Sequence, residues 1–351
     1  MTAPLLVPFA EGDRSMVDLL GGRGAGLAEL TRIGLPVPAG FTITTRACRE
    51  YLDQSRVPES LEQQVRDAVA VLEGATGRRF GDPHRPLLLS VRPGARFGVP
   101  GLMETIPNVG LTDTVATSLS ADLDGTLVWD RYRRLVQTYG RAVLGVDGAL
   151  FEATLADVVR AERVRDETVL AQRALQYVVT EFRRTLRDEA GADLPQNPWA
   201  QLRTSIEAAF ASWDSPRAKK YRADEGVPET AGTAVNVVQM VYANTGWHSG
   251  IGVCSTRDPA TGQPRTRGWY LPNAHSDDLD DGGPATMPME RFASLEPAAY
   301  QELLGHLAIL AEHHPDACDV EFTLEDGLLW ILGTHAGGRT PVARPALHST
   351  H

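Results

Sequence analysis

The fold class predicted for this chain is α+β, in several subdomains arranged around a cleft. Three observations predict it. Strand-length apolar runs alternate with helix-patterned segments along most of the 351 residues. From about 112 to 196 the composition shifts to long helical patterns with many paired charges and few glycines after Gly148. The described pattern closes on two apolar runs, Asp319 to Thr323 and Leu328 to Thr334, that face each other across a turn at Glu325-Asp326-Gly327. The expected organisation is a first lobe of residues 1–111 with 197–232, a helical insertion at 112–196, and a second lobe at 233–344.

The elements follow in order. Gly24 to Ile33 has helical apolar spacing and stops at Gly34 and Pro36. Phe41 to Thr44 reads as a strand, with a helix after it to about Gln54. Ser60 and Gln63 have capping-box spacing and predict a helix to about Leu72. Leu87 to Val91 reads as a buried strand. Within the charge-rich region, Val164 to Arg187 predicts one amphipathic helix. Asn197 followed by Pro198 fits an N-cap with proline at N1, opening a helix through Trp213. Thr233 to Ala243, Gly250 to Thr256 and Gly268 to Leu271 read as strands, Asn273 to Pro288 as an exposed loop, and Tyr300 to His313 as a helix. There are no internal repeats.

Composition narrows the function classes. A net charge of −11 with no Lys/Arg block argues against a nucleic-acid surface. No run approaches the ~20 apolar residues of a membrane span, and the N-terminus lacks a signal-peptide pattern, so a cytoplasmic location is expected. Cys48, Cys254 and Cys318 lack CxxC spacing and read as reduced, scattered residues.

Two segments carry chemistry. The strand at Leu87 to Val91 ends in Arg92, and glycines 94, 98 and 101 then break the chain around Arg96. Upstream, Gly21, Gly22, Gly24 and Gly26 surround Arg23. Backbone N–H groups opened by glycine and flanked by guanidinium groups suit a polyanion such as a nucleotide triphosphate tail. Separately, Asp319 and Glu321 alternate with Val320 and Phe322 on the closing hairpin, so strand periodicity puts both carboxylates on one face. Paired hard oxygen ligands suit Mg²⁺ bridging nucleotide phosphates.

Together these segments resemble the ATP-binding, ATP-grasp-type N-terminal domain of pyruvate phosphate dikinase and its relative phosphoenolpyruvate synthase. The resemblance continues through Tyr132-Arg133-Arg134, Tyr139-Gly140, Pro198-Trp199, Ser212-Trp213, Thr233 to Val237, Thr256-Arg257-Asp258-Pro259, Tyr270 to Ala274 and Glu321-Phe322-Thr323. It implies ATP and Mg²⁺ as cofactors, with Arg92 on triphosphate oxygens and Arg23 where the family usually has lysine. Gly101 and Thr105 would fall in the phosphate-covering loop. Gln239, Met240 and Val241 would lie where the adenine edge meets strand backbone, and Asp319 and Glu321 would hold the metal. Nucleotide is expected between the 94–105 loop and the strand pair carrying Asp319 and Glu321. The family's phosphohistidine domain and pyruvate-binding barrel would follow this domain, and the chain ends at His351. A stand-alone domain is therefore expected, with a small molecule or a separate phosphohistidine-type partner as acceptor.

Departures from the family pattern cluster at the same positions. Gly333-Thr334-His335 stands where the family has Gln-Thr-Arg, and with a three-residue turn Gly333 would sit opposite Asp319. His335 would then be the phosphate-side catalytic residue beside Arg92, provided it carries a proton. Trp269 replaces an acidic residue, His275-Ser276-Asp277 replaces Gln-Gly-Glu, and Pro93 replaces a small hydroxyl residue. The leading expectation is an ATP-dependent phosphotransferase. The alternatives are a nucleotide-binding regulatory protein that has lost catalysis, and an enzyme with a different substrate in the same cleft.

Overall fold

The computed structural model describes residues 3–96, 104–256, 267–274, 286–313 and 318–336. It is a mixed helix and sheet protein in two compact units, Met1–Ala25 with Ala39–Met240 and Gly26–Pro38 with Val241–His351. The expected cut at 232/233 is thus drawn after Met240, because residues 234–239 are hydrogen-bonded into the first unit's sheet.

The first unit begins with β1 (Leu6–Pro8) and the opening of α1 (Val17–Arg32), followed by β2 (Gly40–Ile43), α2 (Thr45–Gln54) and α3 (Glu59–Thr76). Two short strands, β3 (Arg79–Phe80) and β4 (Pro86–Leu87), pair in parallel. After them come β5 (Leu89–Gly94) and β6 (Ile106–Val109), then α4 (Asp113–Asp122), α5 (Gly125–Ala142), α6 (Gly148–Glu162), α7 (Gln172–Ala190), α8 (Pro198–Ser212), α9 (Pro216–Glu225) and β7 (Ala234–Gln239). The main sheet is antiparallel in the order β1-β2-β7-β5-β6. Its apolar side chains, including Phe41, Ile43, Val91, Val235 and Val237, are buried.

Local rules account for most boundaries. Asn197 caps α8 as expected, its Oδ1 accepting from Trp199 N–H at 2.9 Å and Ala200 N–H at 3.2 Å. The Ser60–Gln63 capping box does not form, because α3 starts at Glu59 behind Pro58 and leaves Ser60 inside the first turn. The single helix expected at 164–187 is two elements. Arg163 ends α6 in the left-handed conformation (φ 56). The Asp166 side chain then accepts from Thr168 N–H at 3.1 Å in a short turn before α7 begins at Gln172. Such side-chain bonds to nearby backbone compete with a helix whatever the apolar spacing. The strand expected at 233–243 stops at Gln239.

The second unit takes in residues 26–38, including the end of α1 at Arg32 and Gly34 (φ 83) two residues beyond it. It adds β8 (Gly250–Ser255), β9 (Arg267–Pro272), β10 (Met287–Pro288), α10 (Met289–Leu295), α11 (Pro297–His313), β11 (Cys318–Glu325) and β12 (Leu328–Ala336). The strands form an antiparallel sheet in the order β10-β9-β8-β11-β12. The loop expected at 273–288 is therefore interrupted at its end by β10, while residues 275–285 lie outside the described residues. One face of this sheet is the core: Val320, Phe322 and Leu324 are fully buried with Phe292, Leu303 and Leu310 from α10 and α11. The Tyr270 and Phe322 rings stack with centroids 6.3 Å apart. That apolar face fixes the register, since a one-residue slip would turn it outward.

Among the described residues no helix is long and apolar enough to cross a membrane. Among the described residues Cys48, Cys254 and Cys318 are buried and form no disulfide.

Candidate functional site

In the first unit the two glycine-rich segments come together. Gly21 breaks the start of α1 with φ 69 and ψ 170, and Gly22 N–H donates to the Ala95 carbonyl at 3.1 Å. Arg96 pairs with Asp18 on the same end of α1. A β-carbon on Gly24 would stand 2.6 Å from Thr42 Oγ1 and 2.8 Å from Asn236 Oδ1, and one on Gly94 would stand 2.7 Å from Asn236 Nδ2. Glycine is required at these contacts because helix and strand backbones approach the Asn236 amide too closely for side chains.

This packing places the two arginines. Thr42, Asn236 and Arg92 are cross-strand partners along one row of β2, β7 and β5, so they share a face. Arg92 is exposed at the end of that row. Half-buried Arg23 has its Cβ 3.5 Å from the position a β-carbon on Gly94 would take, two residues along β5 from Arg92. Thr105, also half-buried, immediately precedes Ile106, the partner of Val91. Arg23, Arg92 and Thr105 are therefore gathered at one end of β5. Gly101 lies outside the described residues.

Gln239 ends β7 and Met240 follows it, and their N–H groups donate to Ala39 and Leu88 carbonyls at 2.8 and 2.9 Å. At these two positions only backbone carbonyls and side chains remain to meet a ligand edge. Val241 begins the second unit.

The second unit gathers a polar row. Arg267, Ser255, Asp319 and His335 are successive cross-strand partners on β9, β8, β11 and β12, and the next row is Trp269, Val253, Glu321 and Gly333. Asp319 and Glu321 thus share the face opposite the apolar core, as strand alternation predicts. The expected pairing of Gly333 with Asp319 is corrected: Gly333 faces Glu321, and His335 faces Asp319. Two features shift the register. The turn is a two-residue one at Asp326-Gly327, both with positive φ (49 and 82). A bulge then sets Glu321 opposite Gly333 while Phe322 pairs with Ile331, leaving Leu332 as the extra residue.

The carboxylates are held from opposite sides. Ser255 Oγ donates to Asp319 Oδ1, and His335 Nε2 lies 2.9 Å from Glu321 Oε1. Asp319 is 4% exposed, and its Oδ2 is buried without a hydrogen-bond partner among the described residues. Half-buried Trp269 packs beside them against Ile251 and Leu271.

These residues fit a magnesium ion in part. No group of three or more His, Cys, Asp or Glu among the described residues is placed to hold a metal ion. Mg²⁺ is commonly held by one or two carboxylates, with substrate phosphates and water completing its shell. An orphaned buried oxygen on Asp319 beside Glu321 matches that demand, since a buried carboxylate oxygen without a partner is costly.

Sequence reasoning passed over Ser255 and Asn236. Asn236 had a signal, a single polar residue inside an apolar strand run, whereas Ser255 ends its strand beside Thr256 and had none.

Residues 17–71 and 54–275 match the family described as pyruvate phosphate dikinase, AMP/ATP-binding domain. The chain is 42% identical over 345 residues to pyruvate, phosphate dikinase of Rhizobium meliloti (strain 1021), covering 94% of this chain and 38% of that protein. It is 40% identical over 332 residues to pyruvate, phosphate dikinase 2 of Zea mays, again covering 94% of this chain and 38% of the relative. Against pyruvate, phosphate dikinase 2 of Oryza sativa subsp. japonica the identity is 39% over 331 residues, covering 94% of this chain and 37% of that protein. The chain thus spans well under half the length of these relatives, and it belongs to the pyruvate phosphate dikinase AMP/ATP-binding domain family.

Proposed function

We propose that this chain is an ATP-dependent phosphotransferase domain of ATP-grasp type that binds ATP with Mg²⁺. The observation that carries the reading is the family match over residues 17–275. Arg92, exposed at the end of β5 with Arg23 beside it, would take triphosphate oxygens through charge-assisted bonds. Thr105 and Gly101 would contribute to the phosphate-covering loop, and the Gln239 to Val241 backbone would meet the base. Asp319 and Glu321 would hold the metal, which neutralises phosphate charge when bound. His335, a hydrogen-bond partner of Glu321, would orient that carboxylate and, when protonated, add positive charge near phosphate. The acceptor would be a small molecule or a separate phosphohistidine-type partner.

A second reading, a nucleotide-binding protein with lost or altered catalysis, is favoured by one observation. Glu321 has glycine as its cross-strand partner where the family pattern brings a glutamine near the metal. Incubating the protein with Mg·ATP and candidate acceptors, and resolving AMP, ADP and phosphate, separates the two. ADP or AMP formed together with a phosphorylated acceptor supports the first reading. Tight Mg·ATP binding without turnover supports the second, and no ATP binding rejects both.

A further inference from the structure

We propose that Ser255 is a positioning residue for Asp319, fixing one carboxylate oxygen so that the other is left for a divalent cation. The inference rests on the reading of Asp319 and Glu321 as the metal-holding pair.

Five observations carry it. Ser255 and Asp319 are direct cross-strand partners, so the β8–β11 ladder sets their approach. The Ser255 hydroxyl donates to Asp319 Oδ1. Both residues are buried, at 7% and 4% exposure, so water does not compete freely for that bond. Asp319 Oδ2 has no hydrogen-bond partner among the described residues. His335, the partner of Asp319 on its other side, bonds Glu321 instead. Work is divided between the flanking strands: β8 orients Asp319 and β12 orients Glu321. A carboxylate locked through one oxygen loses little rotational freedom when the second meets a cation, which is how outer partners tune metal affinity.

The test uses the full chain with Mn²⁺ and ATP, reading bound Mn²⁺ by electron paramagnetic resonance. Ser255→Thr and Ser255→Val are nearly isosteric, and one keeps the hydroxyl while the other loses it. Wild type and Ser255→Thr are expected to hold Mn²⁺ with similar affinity in the presence of ATP. Ser255→Val is expected to lose about 10-fold, the lower end of the effect of removing an outer partner of a metal ligand. Binding of ATP in EDTA should be the same in all three, a readout that general damage to the fold would move. If Ser255→Val does not fold, Ser255→Ala takes its place with the same expectations. Equal Mn²⁺ affinity with and without the hydroxyl overturns the proposal, as does a parallel loss of metal-free ATP binding. A wild-type chain that takes up ATP but no Mn²⁺ overturns the metal reading itself, and the role of Ser255 with it.

Discussion

A β-carbon on Gly21 would stand 1.7 Å from the carbonyl oxygen of Gly94. The break at the start of α1 and the end of β5 are thereby one packed element, and the positions of Arg23 and Arg92 depend on it.

Alanine at position 21 is expected to destabilise the protein. It adds a methyl group inside backbone contact distance and strains a residue at φ 69. Overpacking of this kind costs about 1–3 kcal/mol before the strain is counted. Gly26→Ala is the control, because its β-carbon meets nothing within 4 Å and the residue lies in the helix. There alanine should stabilise by up to ~1 kcal/mol. Thermal unfolding of the two variants should move in opposite directions. A Gly21→Ala protein as stable as wild type would mean the two segments are not packed together.

Arg92→Ala should weaken ATP binding far more than adenosine binding. A guanidinium on phosphate makes a charge-assisted bond, worth about 1.5–3 kcal/mol, and adenosine carries no phosphate to lose it. Isothermal titration with both ligands checks this. Equal losses would place Arg92 away from the triphosphate.

Cys48 gives a pH dependence. Burial pushes its thiol up to about 11, with a backbone hydrogen bond at Thr233 opposing the shift. The unfolded chain releases this proton nearer 9, so folding favours the protonated thiol. The stability it contributes is present below pH 9 and is lost as pH rises towards 11. The difference in melting temperature between wild type and Cys48→Ala should therefore shift against the wild type across that interval and stay flat between pH 6 and 8. A constant difference from pH 6 to 11 would contradict it.

Much of this was legible from periodicity and caps. Alternation at Asp319 to Leu324 separates the carboxylate face from the Val320 and Phe322 face, and Asn197 marks the start of α8. Register across the closing hairpin was not legible, because it depends on left-handed Asp326 and on a bulge that no composition rule marks. The division after Met240 escaped for a similar reason: the Val-rich run continues past the last ladder bond of β7. Ser255 and Asn236 became visible only when pairing put them beside Asp319 and Thr42.

The replacements on β12 support the most exacting prediction. Gly333 faces Glu321, and among the described residues a β-carbon there would meet only Glu321 Oε2, at 4.0 Å. A glutamine at 333 therefore has room to enter, and its amide oxygen is a hard ligand beside the carboxylate pair. Arginine at 335 replaces a conditional charge by a permanent one with a planar fork. Gly333→Gln with His335→Arg should bind Mg·ATP more tightly than wild type. A gain of about tenfold is expected, below the sum of two charge-assisted bonds of about 1.5–3 kcal/mol each, because neighbouring sites couple. The unaltered protein should form AMP from ATP far more slowly than ordinary enzymes turn over, on the order of 1–10³ per second, even with a phosphohistidine partner supplied. Titration calorimetry of the double variant and product analysis of the wild type check the two halves. Unchanged Mg·ATP affinity would mean that the Glu321–Gly333 row does not face nucleotide, and rapid AMP formation by the wild type would mean that glycine and histidine there do not impair the chemistry.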